Sequence, residues 1–143
     1  MHITLIHGPN LNLLGTREVE MYGTLTHDEL VQQVIAYAAS CGFEVAVKQS
    51  NHEGDLVDYL QQAPLVSSAV IINPAAYTHT SIALLDAVKA IPIPVVEVHL
   101  SNIEEREPFR RVSYIKDGVK ARFFGKGMNS YFEALDYLKE TLT

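Results

Sequence analysis

One cysteine, no tryptophan and no apolar run long enough to cross a bilayer leave several classes of protein without support in this chain. Cys41 stands alone, so no intramolecular disulfide can form, and the expected compartment is a reducing cytoplasm. The N-terminal MHITLIHGPN meets a Gly-Pro break after a short apolar run and carries no basic leader, which fits neither a signal peptide nor a spanning helix. No membrane partner is expected. Basic charge is scarce as well: 11 Lys+Arg against 17 Asp+Glu give a net charge of −6. Binding a phosphate backbone requires a net positive face, so no nucleic acid partner is expected either. Histidines at positions 2, 7, 27, 52, 79 and 99 show no H-x-H, H-x-x-x-H or H-E-x-x-H spacing, and one cysteine cannot build a structural zinc site. The first loop has glycines at 8, 15 and 23 but neither G-x-x-x-x-G-K-[ST] nor G-x-G-x-x-G, so both nucleotide fingerprints are missing. There is no G-x-S-x-G elbow for a nucleophilic serine, and Cys41, among small residues at a helix end, reads as inert.

What the 143 residues do hold is a regular alternation, with no internal repeat, low-complexity tract or linker to divide residues 1–143 into more than one domain. Apolar runs at Ile3–Ile6, Phe43–Val47, Ala69–Ile72, Val95–Val98 and Ala121–Phe124 read as buried strands. Between and after them, helical spacing is expected over Asp28–Ala39, Asp55–Gln62, Ser81–Ala90 and Tyr131–Leu142. Thr26 with Glu29 three residues on fits a capping box, and Gly42 supplies a helix stop. Strands alternating with helices predict an α/β fold: a flavodoxin-like, doubly wound sandwich around a five-stranded parallel sheet.

Open sheets of this kind bind ligands beyond the carboxyl ends of their strands, and the polar clusters fall there. His7-Gly-Pro-Asn10-Leu-Asn12, Gln49-Ser-Asn51-His52-Glu53, Asn73-Pro-Ala-Ala-Tyr77-Thr-His79 and His99-Leu100-Ser101-Asn102 each follow a strand. Glu97 and His99 are two apart in a strand and so share a face. A carboxylate beside an imidazole fixes its tautomer and favours the protonated ring, the profile of a general acid; the alternative is a solvent-facing ion pair. The stretch from Gly15 to Gly23 carries Arg17 and Tyr22, and reads either as a lid over substrate or as a surface loop. Between Glu104 and Lys126 stand seven basic residues, among them Arg106, Arg110 and Arg122, against four acidic ones. That segment is either a site for a small anion or a solvated or subunit-facing surface.

Four blocks, in order, carry a resemblance. They are Gly8-Pro-Asn-Leu-Asn-Leu-Leu-Gly-Thr-Arg-Glu18 with Tyr22-Gly23; Gln49-Ser-Asn-His-Glu-Gly54; Ile72-Asn-Pro-Ala-Ala-Tyr-Thr-His-Thr-Ser81 with Asp86; and Val96-Glu-Val-His-Leu-Ser-Asn-Ile103 with Arg106 and Phe109-Arg110. Over nearly its whole length the sequence resembles the type II 3-dehydroquinate dehydratases. Two positions depart from the common pattern: His7 stands where many members have Asn, and Val19 where many have Pro.

The resemblance implies reversible anti elimination of water from 3-dehydroquinate, giving 3-dehydroshikimate through an enolate without metal or cofactor. Carried over residue by residue, Tyr22 is the base, Arg17 the charge that lowers its pKa, Asn10 the enolate stabiliser through a held water, and His99 the acid that Glu97 orients. Asn73 and the backbone of Leu100 and Ser101 would take the carboxylate, with His79, Arg110 and Asp86 on the ring hydroxyls. The family also implies a homododecamer built from trimers, in which Asp86 serves a neighbouring subunit. Its reaction serves the shikimate pathway to chorismate and aromatic amino acids, or quinate breakdown. Two other readings stand beside it: a flavodoxin-like module that binds a small acid without catalysis, and a lyase for another cyclic β-hydroxy ketone.

Overall fold

Parallel strands need crossovers of a dozen or more residues, and here helices supply most of them. In the computed structural model, which describes residues 1–16 and 23–142, the strands are β1 (His2–His7), β2 (Glu44–Gln49), β3 (Ala69–Asn73), β4 (Val95–His99) and β5 (Ala121–Phe124). All neighbours pair in parallel, in the order β2-β1-β3-β4-β5. That is the flavodoxin-like order, whose chain direction reverses between β1 and β3. The helices are α1 (His27–Ser40), α2 (Glu53–Gln62), α3 (Ile82–Ala90) and α4 (Met128–Leu142). The crossover from β4 to β5 instead runs through two 3-10 turns, Ile103–Glu105 and Pro108–Arg110.

The strands alternate side chains between two cores. On one face Ile3, Leu5, Ile71, Val96 and Val98 pack with Leu30, Val34 and Ala38 of α1 and Tyr131, Leu135 and Leu138 of α4. On the other, Ile6, Val70, Ile72 and Val95 pack with Leu56 and Leu60 of α2 and Leu84 and Val88 of α3. β1, β3 and β4 are thus covered on both sides, which is why they read as continuous apolar runs. Edge strand β2 alternates exposed and half-buried positions.

The same period of two sorts the polar residues at the strand ends. His7 and Asn73, adjacent in the β1–β3 register, follow Leu5 and Ile71 onto the α1/α4 face. Glu97 and His99 follow Val95 onto the α2/α3 face. Two polar clusters therefore meet at one edge of the sheet from opposite sides.

Local signals act largely as expected. Thr26 Oγ1 accepts from the Glu29 N–H at 3.1 Å, but the Glu29 carboxylate accepts from the Thr26 hydroxyl at 3.1 Å rather than from the backbone. The expected reciprocal box is therefore only half made. Gly42, at φ 87°, ends α1, with Phe43 N–H bonding back to the Ala38 carbonyl at 2.9 Å and Gly42 N–H to Ala39 at 3.0 Å. Both bonds are those of a Schellman stop. Helices α1, α2 and α4 begin one, two and three residues before the expected ranges; Thr26 caps α1, and at the start of α4 Ser130 Oγ accepts from Lys126 N–H at 3.0 Å.

Gly8 is fixed by space. Its N–H bonds to the Asn73 carbonyl at 2.8 Å, and a Cβ there would sit 2.4 Å from the Pro74 carbonyl oxygen. We expect Gly8→Ala to lower unfolding stability by about 1–3 kcal/mol through overpacking, read from the urea midpoint. An unchanged midpoint would show that the β1 and β3 ends separate without cost.

Candidate active site

The carboxyl ends of β1, β3 and β4 open into a cleft lined by Pro9, Asn10 and Leu11 after β1, by Asn73, Ala75, Ala76 and His79 at and after β3, and by His99, Leu100, Ser101, Ile103, Arg106 and Arg110 at and after β4. Only two non-glycine residues among those described have positive φ, Asn10 at 69° and Ala75 at 53°. Both line this cleft, and backbone strain of this kind concentrates at working sites. Asn10 is held by its own N–H, which bonds to Asn51 Oδ1 at 3.0 Å.

Glu97 is fully buried in β4 and is satisfied from four directions. His99 Nε2 lies 2.6 Å from Oε2, the Thr78 hydroxyl donates to Oε2 at 2.6 Å, the Ser113 hydroxyl to Oε1 at 2.9 Å, and Arg122 Nε to Oε1 at 3.0 Å. Burial by itself would raise this carboxyl, but the His99 hydrogen bond and charge, the Thr78 hydroxyl and the Arg122 guanidinium outweigh it and hold Glu97 down at about 2. Glu97 is therefore a fixed anion at neutral pH. Because a carboxylate can only accept, Nε2 of His99 carries a proton, and Nδ1 is the ring nitrogen left for a ligand. The expected dyad is present, and the solvent-facing alternative is excluded by its burial.

His79 Nδ1 lies 2.7 Å from the Val112 carbonyl, which makes Nδ1 the donor and leaves Nε2 of the neutral ring as an acceptor. Burial lowers the His79 pKa; the bond to Val112 opposes this, while the charges of His99 and Arg110 add to the lowering. A neutral His79 suits a ligand hydroxyl. Arg110 reaches the cleft with Nε 3.1 Å from Glu107 Oε2, close enough for charge attraction but not aligned as a hydrogen bond.

Asn73 Oδ1 accepts from Ala75 N–H at 3.1 Å, and Nδ2 donates to the Tyr131 hydroxyl at 2.9 Å. Tyr131 OH lies 2.9 Å from His7 Nε2, and His7 Nδ1 lies 2.7 Å from His27 Nε2. Sequence reasoning did not place Tyr131, Thr78, Ser113, Arg122, Asn51 or Arg106 at the site. Signals existed for some of them: Arg106 and Arg122 stand in the basic segment, and Asn51 and Thr78 lie within the polar clusters that follow β2 and β3, whereas nothing local marked Tyr131 or Ser113.

Of the expected site residues, the cleft gathers Asn10, Asn73, His79, His99, Leu100, Ser101 and Arg110, with Glu97 directly behind His99. Asp86 does not line it; it is exposed on α3. Arg17 and Tyr22, and with them most of the expected lid and Val19, lie outside the described residues. The basic segment divides between both readings: Arg106 and Arg110 face the cleft, Arg122 pairs with Glu97, and Lys126 pairs with Glu133 at 2.7 Å. No group of three or more His, Cys, Asp or Glu that could hold a metal occurs among the described residues.

A flavodoxin-order sheet with a carboxylate-held histidine and convergent amide and guanidinium groups at the carboxyl ends of its strands holds the groups that an acid–base enzyme acting on a small anion needs. The family model described as dehydroquinase class II matches residues 1–139, and the chain belongs to that family. It is 51% identical over 129 residues to the 3-dehydroquinate dehydratase of Maricaulis maris, covering 90% of this chain and 88% of the relative. With that of Ruegeria pomeroyi it shares 50% over 141 residues, 99% and 95% of the two chains. The crystal structure of type II dehydroquinase from Butyrivibrio crossotus superposes with a TM-score of 0.93 at 41% identity, covering 96% of this chain and 97% of that one.

Burial, and then neighbouring His27, push the His7 imidazole from its ordinary 6.5 down to about 3. Between those values the unfolded chain binds a proton that the folded protein refuses, so stability rises with pH and this contribution is complete only above 6.5. We expect His7→Gln to flatten the pH dependence of unfolding free energy in that window by roughly 1.4 kcal/mol per pH unit. Parallel wild-type and variant curves would contradict a neutral buried His7.

Proposed function

We propose that this chain catalyses the reversible loss of water from 3-dehydroquinate to give 3-dehydroshikimate. The observation that carries the reading is the buried Glu97–His99 pair opening on the same cleft as Asn73, His79 and Arg110. In a β-hydroxy ketone the carbonyl acidifies the adjacent proton, so the reaction divides into proton removal, an enolate, and expulsion of hydroxide as water when an acid supplies a proton. His99 is that acid, held by Glu97 so that the other ring nitrogen faces the leaving group. Asn10 supports the enolate oxygen, through a held water, as a donor placed where charge develops.

Tyr22 serves as the base. An ordinary phenol titrates near 10 and is only about 0.1% ionised at pH 7, so it needs a cation beside it, and Arg17 on the same loop supplies one. Closure of that loop as a lid would bring both to the substrate and exclude water. Asn73 and the backbone of Leu100 and Ser101 take the substrate carboxylate, while the neutral His79 and the Arg110 fork take ring hydroxyls. The positive segment that holds Arg106 and Arg110 gives an anionic substrate a favourable approach to an acidic protein.

The reading extends to assembly and role. The exposure of Asp86 away from the cleft of its own chain supports a role in a neighbouring subunit's site, within a homododecamer of trimers. A cytoplasmic enzyme of the shikimate pathway to chorismate fits best, and no helix among the described residues is long and apolar enough to cross a membrane. The relatives' names, 3-dehydroquinate dehydratase, do not favour the non-catalytic binding module.

The purified protein with 3-dehydroquinate should produce the ultraviolet absorbance of a conjugated enone. Tyr22→Phe should remove nearly all turnover while leaving substrate affinity within a few-fold. A flat trace from folded wild-type protein would restore the binding-module reading. Substantial activity in Tyr22→Phe would remove Tyr22 as the base. Borohydride added with substrate should leave the enzyme active, since no Schiff base forms; rapid inactivation would overturn the enolate route.

A further inference from the structure

Beneath the cleft, on the α1/α4 face, four side chains from four elements form one run of hydrogen bonds. It links Asn73 of β3, Tyr131 of α4, His7 of β1 and His27 at the start of α1. His7 and Tyr131 are completely buried, while His27 is half-buried. The direction of every bond follows from donor and acceptor counting. Asn73 Oδ1 already accepts from Ala75 N–H, so Nδ2 is the atom that faces Tyr131, and it donates to the phenolic oxygen. That leaves the phenolic proton for His7 Nε2. A neutral His7 then carries its own proton on Nδ1 and gives it to His27 Nε2.

We propose that Tyr131 and His7 are positioning residues that hold the Asn73 amide in the one orientation useful to an anionic ligand. An asparagine amide presents a donor on one side and an acceptor on the other, and turning it over exchanges the two. With Tyr131 accepting and Ala75 donating, Nδ2 stays toward Tyr131 with its second proton available, and Oδ1 stays occupied. If the phenolic oxygen were lost, only the Ala75 N–H on Oδ1 would still hold the amide, and the NH2 group could swing on that single contact and carry its free proton away from a carboxylate. Tyr131 can keep its oxygen as an acceptor only while its proton has somewhere to go, and His7 Nε2 is that place. The inference rests on the proposed reaction, in which Asn73 binds the substrate carboxylate. It extends that reading to two residues that touch no substrate.

The two clusters occupy opposite faces of the sheet, so disturbing this one should weaken substrate binding and spare proton transfer. Steady-state kinetics with 3-dehydroquinate on the assembled enzyme test this. Tyr131→Phe and His7→Leu should each raise KM by about tenfold, the scale of one lost hydrogen bond, with kcat within about threefold. The double variant should be no worse than the poorer single one, because both act through the same amide. His7→Gln, which can keep an acceptor oxygen facing Tyr131, should recover most of the wild-type KM. It also tests the link without altering Tyr131, should Tyr131→Phe fold poorly.

Wild-type KM in folded Tyr131→Phe, or a His7→Gln variant no better than His7→Leu, overturns the positioning role while the reaction itself stands. A collapse of kcat at unchanged KM also overturns it. A wild-type protein that does not turn over 3-dehydroquinate overturns the proposed function and this inference together.

Discussion

A carboxylate buried in the middle of a parallel sheet sets the terms for the rest of this molecule. Glu97 has no exposed surface, and an isolated charge in that position would be too costly to keep. It is stable there because three different stretches of chain converge on it besides its own strand. The turn after β3 brings Thr78, the segment before β5 brings Ser113, and β5 brings Arg122. Satisfying one anion thus ties the β3–α3 loop and the helix-free β4–β5 crossover to the strand that carries His99. The acidity of Glu97 and the orientation of His99 are consequences of the same four contacts.

The sheet's period of two divides labour around the cleft. Residues on the α2/α3 side hold and orient His99, the proton donor of the proposed reaction, and residues on the α1/α4 side bond to the Asn73 amide, the proposed carboxylate ligand. The two sets meet only at the strand ends, where Gly8 passes close to Pro74 and where Asn10 and Ala75 take up left-handed backbone. A chain of this length can host an elimination because the substrate's ketone contributes much of the activation. The protein has to supply a base, an acid and a fixed set of donors.

Much of the fold was legible because β1, β3 and β4 are buried on both faces and leave apolar runs, while α1 is bracketed by the Thr26 cap and the Gly42 stop. The Glu97–His99 pair was legible for the same local reason, a separation of two within one strand. Partners brought together only by folding were not. Thr78, Ser113 and Arg122 stand 19, 16 and 25 residues from Glu97, and Tyr131 stands 58 from Asn73, distances at which no spacing rule operates. His7 and His27 looked like unrelated histidines because their 20-residue separation matches no metal-ligand, helix or strand spacing. Asp86 could be proposed only from the family resemblance; nothing local marks an exposed aspartate on a helix as part of a site.

The central claim is that His99, held by Glu97, gives the proton to the leaving hydroxyl after an enolate has already formed. Proton NMR in deuterium oxide on His99→Ala with 3-dehydroquinate tests it most directly. The account predicts slow exchange of the proton beside the ketone with no formation of the enone. Enone formation by folded His99→Ala at a rate near that of the wild type would contradict it.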